Sequence, residues 1–349
     1  MNTIVIKISD EDNLDEKLLP AAEAIKSGKL VVFPTETVYG LGGNGLNSSA
    51  SKKIYEAKGR PQDNPLIIHI ANPEDAKKYT YTNSLYDKLA EHFMPGPLTV
   101  VLPAKECIPK ETRASLPTVA VRCPEHPIAH KLIALAGTPI AAPSANLSGS
   151  PSPTKASHVL DDMMGRVDVI IAADDSKIGL ESTIVKIEDE ETVTLLRPGK
   201  ITIEDLSLVC DKIIVAGAVT SKLAEGEKVL SPGMKYRHYA PKAPVILLDG
   251  SHKKIADFIA ENSKDKSISV ICYKERIDDI KAKAPNAYVY EFGSEGDDEM
   301  QAHLLFDILR DADKRNFDVI YAPLPRAEGI GLALYNRMIR AAAYNIIKL

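Results

Sequence analysis

Short apolar, β-branched runs alternate with amphipathic segments along residues 1–200, and this alternation restricts the chain to the α/β fold class. The runs predict strands at 30–33, 66–70, 98–102, 119–122, 140–142, 167–172, 183–187 and 193–196. Helices are predicted at 48–57, with Ser48 as the N-cap, and at 126–136. Because these elements are spaced irregularly, we expect a mixed, twisted α/β sheet with a ligand cleft rather than a regular doubly wound sheet.

A second pattern begins at residue 245, where strands and helices alternate regularly. Strands are predicted at 245–248, 268–272, 287–291 and 319–322, and helices at 252–261, 298–312 and 331–347. This pattern is typical of a small parallel, Rossmann-like sheet. The segment has no GxGxxG turn, so nucleotide binding there is not supported. A length of 349 residues fits two domains, which we place at 1–200 and 244–349, joined by a linker at 201–243.

The predicted linker contains a short helix at 203–210 and then SPGMKYRHYAP at 231–241. A plain linker is rich in Ser, Gly or charge and lacks large side chains. The two tyrosines, the histidine and the cations of this segment therefore indicate a segment that docks onto something.

The charge balance excludes one large class of partners. Lys and Arg number 43 against 48 Asp and Glu, a net charge of −5, so a basic coat for duplex DNA or an anionic membrane is excluded, although a local basic patch is not. None of the four cysteines forms a CxxC pair, which favours a reduced, cytoplasmic protein without a thiolate zinc site. No signal peptide and no apolar stretch of membrane-spanning length is evident, and His126 and His130 lack an HExxH context, so we predict no metal ligands.

Polar segments follow several of the predicted strands, where ligands bind in α/β sheets. PTETVYGLG at 34–42 offers hydroxyls and glycines, and KGRP at 58–61 with Asn64 makes a cationic corner fixed by prolines. The alternative for 34–42 is an ordinary turn at the end of a strand, and the alternative for 58–61 is a solvated basic turn. His69 lies on an apolar strand, where a histidine is more often a core residue than a ligand.

Three further segments have the same character. Arg122 ends a strand and suits either a carboxylate ligand or a structural ion pair. Ser144 and Asn146 lie in a proline-fixed turn whose small residues let a ligand approach the backbone, although Ser and Asn are also ordinary turn formers. Hydroxyls return at 182–183, before Arg197. The chain has no GxSxG elbow and no Walker A motif. Cations, hydroxyls and turns of this kind suit the positioning of a transferring phosphoryl or nucleotidyl group, which needs little covalent help.

Taken together, PTETVYGLG, KGRP with NPL, PSAN, and STIV followed by RPG resemble the YrdC-like family in order and spacing. The segment 231–241 and the C-terminal domain resemble its long form, so the resemblance covers essentially the whole chain. The family signature KxR…SxN matches at Lys58, Arg60, Ser144 and Asn146. The resemblance implies synthesis of threonylcarbamoyl-AMP and pyrophosphate from L-threonine, bicarbonate and ATP, as the first step of a tRNA modification beside the anticodon.

The resemblance also implies roles for individual residues. The catalytic residues are Lys58, Arg60, Ser144 and Asn146. ATP is contacted by Arg60, Asn64, Thr118, Leu132, Ser144, Arg197 and Tyr236, the last of these from a linker that closes as a lid. L-threonine is contacted by Thr37, His69, Arg122, Ala142 and Ser182. Mg²⁺ is expected on the ATP phosphates, bound mainly through ATP oxygens and water.

The implied partners are these substrates and a downstream threonylcarbamoyl transferase complex, with transient or no direct tRNA binding, no membrane, and a monomer or weak homodimer. Three alternatives stay open. The chain could be a structured-RNA-binding or ribosome-associated module, against which its net negative charge argues mildly. It could act on carbamoyl phosphate, although the accompanying acylphosphatase-like and zinc-finger parts are missing. The C-terminal domain could be the enzyme, which the lack of a phosphate-binding turn disfavours.

Overall fold

The computed structural model describes residues 2–9, 11–221, 239–264 and 266–349, and these form two compact units. The first unit comprises 2–148 and 152–221 apart from residue 10, and the second comprises 149–151 and 239–349 apart from residue 265. The described residues of the predicted linker therefore divide between the units, with 201–221 in the first and 239–243 in the second.

The first unit contains both strands and helices. The strands are β1 (Ile4–Lys7), β2 (Val31–Phe33), β3 (Gly40–Asn44), β4 (Ile67–His69), β5 (Leu98–Pro103), β6 (Thr118–Arg122), β7 (Ile140–Ala142), β8 (Val169–Ala172), β9 (Thr183–Ile187), β10 (Thr192–Arg197) and β11 (Lys212–Val215). The helices are α1 (Leu14–Lys26), α2 (Ser48–Lys58), α3 (Ala76–Tyr79), α4 (Ser84–Phe93), α5 (Pro127–Ala136), α6 (Ala156–Met163) and α7 (Ile203–Leu206).

These eleven strands form one sheet in the order β1-β8-β2-β3-β7-β4-β6-β5-β9-β10-β11. Parallel pairs such as β4–β6 and β5–β9 alternate with antiparallel pairs such as β4–β7 and β5–β6. The expected mixed sheet is therefore confirmed. On one side, α1 and α5 pack over β2, β7 and β8 and enclose an apolar cluster that includes Leu18, Ile25 and Leu132.

Two helix boundaries predicted from the sequence are wrong. Asn47, not Ser48, caps α2, because its side chain accepts a hydrogen bond from the amide of Ala50. The helix predicted at 203–210 ends at Leu206, after a capping box formed by Thr202 and Asp205. Residues 40–44, for which no strand was predicted, form strand β3.

Gly42 of β3 is required by packing within the sheet. A Cβ on Gly42 would lie 2.6 Å from Ile140 and 2.7 Å from Phe33, so only glycine fits between these side chains. Gly42 pairs with Val31 of β2 in an antiparallel ladder. A Gly-rich strand carries little β-propensity, which is why the sequence pattern did not indicate it.

The second unit is the expected parallel sheet. Its strands are β12 (Val245–Asp249), β13 (Ile268–Cys272), β14 (Tyr288–Glu291), β15 (Val319–Pro323) and β16 (Ile346–Lys348), in the order β14-β13-β15-β12-β16. Its helices are α8 (His252–Asn262), α9 (Ile277–Lys283), α10 (Asp298–Arg315) and α11 (Gly331–Ala341). The helix predicted at 331–347 is therefore wrong at its end: it stops at Ala341 and the chain turns into β16. No helix of the described residues has the length and apolar composition needed to cross a membrane.

Candidate active site

Three polar side chains lie side by side across adjacent strands of the first unit. In the parallel pair β4–β6, His69 stands opposite Arg122, and in the antiparallel pair β5–β6, Thr99 stands opposite Arg122. Residues directly opposite each other project from the same face of a sheet. His69, Arg122 and Thr99 therefore form a polar row, and all three are buried.

Arg122 is held by the loop that follows β2. Its Nη2 donates to Oε1 of Glu36 at 2.6 Å, and its Nε donates to the carbonyl of Gly96 at 3.4 Å. Burial acts to raise the pKa of the Glu36 carboxyl, but the charge and hydrogen bond of Arg122 hold that pKa below its ordinary value. Glu36 is therefore ionised, and its Oε2 is buried without a hydrogen-bond partner among the described residues.

His69 is neutral in this environment. Burial, together with the positive charge of Arg122, lowers the pKa of His69 to about 3. Its ring packs edge-on against Phe33, and Nδ1 lies 3.3 Å from the carbonyl oxygen of Ile140. A neutral imidazole beside Arg122 can exchange hydrogen bonds with a ligand without adding charge.

Ser182 joins the row through its hydroxyl. Ser182 Oγ lies 2.7 Å from Thr99 Oγ1, and Arg197 donates from Nη2 to that Oγ and from Nε to the Ser182 carbonyl, both at 3.0 Å. Thr37 is fully buried, and its hydroxyl lies 2.9 Å from that of Thr35. The two hydroxyl-bearing segments predicted from the sequence are thus both tied into hydrogen-bond networks.

A second cluster forms around Lys58, at the end of α2. Lys58 Nζ donates to the backbone carbonyl of Ser144 at 2.5 Å, to that of Asn146, and to Asn146 Oδ1 at 3.3 Å. Ser144 Oγ donates to Asn146 Oδ1 at 2.5 Å. Gly59 adopts a left-handed conformation with φ of 61° and ends the helix, which leaves Lys58 buried against the 143–148 turn.

Arg60 forms the other half of the cationic corner. Its Nε donates to the carbonyl of Asn64 and its Nη2 to that of Pro65, both at 3.2 Å. Asn64 is buried, and its Oδ1 has no hydrogen-bond partner in the described part of the chain. A buried amide oxygen without a partner is costly, so this atom marks a place where a ligand donor fits.

The two clusters are joined through the loop after β2. The amide of Ala145 donates to the carbonyl of Tyr39 at 2.8 Å, and Gly40 forms a β-bridge with Ser144. Glu36 of the same loop holds Arg122. The structure therefore brings the segments 34–42, 58–64, 143–148 and 181–183 into one connected framework with Arg122 and His69.

The remaining predicted residues are placed differently. Ala142 ends β7 on the same face as His69, and Thr118 begins β6, four residues before Arg122. Leu132 lies fully buried in the apolar cluster between α1 and α5, so packing accounts for it and we do not assign it to ATP. Tyr236 lies outside the described residues, as do residues 231–238 of the SPGMKYRHYAP segment in the predicted 201–243 linker and lid. Within those residues, no group of three or more His, Cys, Asp or Glu is arranged to hold a metal ion.

Sequence reasoning passed over two members of the site. Glu36 was treated as part of a hydroxyl-bearing loop, because its burial and its pairing with Arg122 are visible only in the tertiary structure. Thr99 gave no local signal, because a threonine in an apolar strand is common. Its place beside Arg122 comes from strand register alone.

Comparisons with known proteins identify the family of this chain. Residues 23–199 match the model of the Sua5, YciO and YrdC family, described as "Telomere recombination", and residues 201–343 match "Threonylcarbamoyl-AMP synthase, C-terminal domain". The chain is 44% identical to threonylcarbamoyl-AMP synthase of Pyrococcus abyssi, over 99% of both chains. It is 42% identical to the Bacillus subtilis protein of the same name, over 98% of both.

A solved structure supports the same relationship. The crystal structure of P. abyssi Sua5 complexed with L-threonine superposes with a TM-score of 0.91 at 43% identity, covering 99% of this chain and 100% of that one. Fold, connected motifs and full-length relatives agree, and the chain therefore belongs to the YrdC-like family in its long form, with the C-terminal domain of the threonylcarbamoyl-AMP synthases.

Proposed function

We propose that this protein condenses L-threonine, bicarbonate and ATP to L-threonylcarbamoyl-AMP and pyrophosphate, the first step of threonylcarbamoyladenosine formation in tRNA. The observation that carries the proposal is the contact of Lys58 with the backbone of Ser144 and Asn146. It assembles the separate KxR and SxN segments into one cluster, linked by the 34–42 loop to the Arg122 row. Relatives matched over almost their full length carry the name of this activity.

The Arg122 row suits L-threonine. A buried guanidinium is a strong partner for an α-carboxylate, and Arg122 is already oriented by Glu36 and the carbonyl of Gly96. Neutral His69 and the hydroxyls of Thr37 and Ser182 can hydrogen-bond the amino and hydroxyl groups of the substrate. Ala142, on the same face, leaves room for it. A relative of the same fold is described as complexed with L-threonine.

The cluster of Lys58 and Arg60 suits the triphosphate of ATP. Both cations are buried and fixed by backbone carbonyls, so they are already oriented before a ligand arrives. Asn64, Ser144 and Asn146 supply amide and hydroxyl groups beside them. Thr118 and Arg197 stay proposed ATP contacts. The contact of Tyr236 with ATP and the lid role of the 201–243 linker stay sequence-based predictions.

The chemistry needs positioning more than covalent help. The amino group of L-threonine adds to bicarbonate with loss of water, giving an N-carboxylate. One oxygen of that carboxylate attacks the α-phosphorus of ATP, and the bond to the β-phosphate oxygen breaks, so pyrophosphate leaves. Both reactants are anionic, and Lys58 and Arg60 offset their repulsion and the charge that moves onto the leaving group.

Mg²⁺ supplies further charge neutralisation on the triphosphate. The residues beside Lys58 offer amides, hydroxyls and cations, and the carboxylate of Glu36 is committed to Arg122. A magnesium ion would therefore be held by phosphate oxygens and water. The proposal also includes a cytoplasmic location and a downstream threonylcarbamoyl transferase complex that receives the product. It further includes transient or no direct tRNA binding and a monomeric or weakly dimeric state.

A pyrophosphate-release assay with ATP and bicarbonate, with and without L-threonine, tests the proposal. We expect release to require both L-threonine and bicarbonate, because the N-carboxylate is the nucleophile. Release without threonine would contradict the assignment. Salt-sensitive binding of structured RNA with no turnover would favour the RNA-binding alternative instead.

A further inference from the structure

The second unit contains a cavity of about 340 Å³ that the proposed synthase reaction does not use. Its floor lies at the carboxyl ends of three parallel strands, with Gly250 after β12, Tyr273 after β13 and Arg326 after β15. The volume falls within the range of small-molecule sites.

The topology of the sheet favours ligand binding at this place. β15 lies between β13 and β12, and it continues into α11 and on to β16, whereas β12 and β13 continue through α8 and α9 in the other direction. Right-handed crossovers place connections that run in opposite directions on opposite faces of the sheet. The crevice between them, outside the carboxyl ends of the strands, is where open α/β sheets bind ligands.

A phosphate-bearing ligand fits the cavity poorly. The lining carboxylates outnumber the lining guanidiniums by four to two: Asp249, Asp279, Glu295 and Asp298 against Arg276 and Arg326. The turn after β12 contains the single glycine Gly250, on which a Cβ would lie 2.9 Å from that of Leu349. That glycine therefore serves packing inside the unit and not the approach of a phosphate.

Opposite charges lie close together at the cavity wall. Glu295 Oε2 lies 3.5 Å from Arg276 Nη2 and 3.2 Å from His252 Nε2. The Arg276 and Glu295 side chains are 42% and 48% exposed, so a ligand in the cavity reaches both charged groups. Apolar side chains of α8 and β13, including Ile255, Ile259 and Val270, line the remainder.

We propose that this cavity binds a free L-α-amino acid with an apolar side chain. An α-amino acid carries a carboxylate and an ammonium on one carbon, which matches the adjacent Arg276 and Glu295. The carboxylate accepts from the terminal nitrogens of the Arg276 guanidinium, and the ammonium donates to the Glu295 carboxylate. The hydrocarbon side chain fills the space beside Ile255 and Ile259.

Equilibrium dialysis of the full chain with radiolabelled L-leucine tests this site. We expect millimolar or tighter binding, weakened at least about tenfold by Arg276→Gln and by Glu295→Gln. The matched control is Lys274→Gln, since Lys274 lies in the same short 3-10 helix, is exposed and does not line the cavity. Circular dichroism establishes that each variant is folded.

Two ligand analogues test each half of the recognition. Isocaproate lacks the ammonium and L-leucine methyl ester lacks the carboxylate, so each should bind at least about tenfold more weakly than L-leucine. Arg122→Gln should leave L-leucine binding intact while removing L-threonine binding, which separates this site from the proposed substrate pocket. Three outcomes would overturn the proposal. The first is undetectable L-leucine binding, and the second is an equal loss of binding in Arg276→Gln and Lys274→Gln. The third is binding of isocaproate, inorganic phosphate or adenosine that is as tight as that of L-leucine.

Discussion

Arg122 and Glu36 form a buried ion pair, with Nη2 and Oε1 2.6 Å apart and only 5% and 7% of their side chains exposed. The pair fastens the loop after β2 to the carboxyl end of β6. It also fixes the guanidinium in one orientation, because Arg122 donates to Gly96 as well. The position of the proposed carboxylate partner of L-threonine therefore depends on a residue from a distant part of the chain.

Glu36→Gln should destabilise the protein. Removing the carboxylate leaves the Arg122 charge buried without its partner, which costs about 3–5 kcal/mol in the free energy of unfolding. Urea unfolding followed by circular dichroism measures the loss, and Glu91→Gln, at an exposed position of α4, is the control. A Glu36→Gln protein as stable as the control would show that the pair does not hold the loop.

Stability should fall as the pH drops below about 6.5, because of His69. The folded protein binds a proton at His69 only near pH 3, whereas the unfolded chain binds one near 6.5. Between these values the unfolded state takes up more protons, and the slope approaches about 1.4 kcal/mol per pH unit. Protonation of Glu36, whose pKa is held low by Arg122, removes further stability at more acidic pH.

Unfolding free energies measured across this pH range check the prediction. His69→Gln should flatten the decline between about pH 6.5 and 4, since no imidazole is left to titrate. His92→Gln is the matched control, because His92 is exposed on α4. An unchanged slope in His69→Gln would mean that another group causes the decline.

Lys58→Ala should reduce pyrophosphate release by roughly 10²–10³-fold or more, through loss of charge at the phosphates and of the bonds that hold Ser144 and Asn146. L-threonine binding, measured by calorimetry, should persist because Arg122, its proposed carboxylate partner, is held by Glu36 and the carbonyl of Gly96. Lys52→Ala, on the exposed face of the same helix, should keep full activity. Full turnover by Lys58→Ala would remove Lys58 from the reaction.

Ser182→Ala should raise the KM for L-threonine more than it lowers kcat. The change removes the hydroxyl that hydrogen-bonds with Thr99 Oγ1 and accepts from Arg197 Nη2. Each of these buried groups then lacks that partner, which costs about 1–3 kcal/mol of folding free energy. Steady-state kinetics with varied L-threonine and then varied ATP separate the two effects. Ser49→Ala, at an exposed position, is the control, and an effect confined to the KM for ATP would place Ser182 with the nucleotide instead.

Local pattern was a good guide to most strands and helices but not to all. β3 was missed because glycine has low β-propensity, and Gly42 is needed where Phe33 and Ile140 leave no room for a Cβ. The C-terminal helix was predicted too long, because apolar residues continue past Ala341 into β16. Leu132 was assigned to ATP, and the structure places it in the core.

The sequence by itself determined the α/β class, the change of rhythm between the two parts of the chain, and the polar segments whose order identifies the family. Only the tertiary structure decided how those segments meet. Lys58 reaches Ser144 and Asn146 across 86 and 88 residues, and Arg122 reaches Glu36 across 86. Such contacts follow from strand register and burial, which local patterns do not specify, and the neutral state of His69 follows from the same burial.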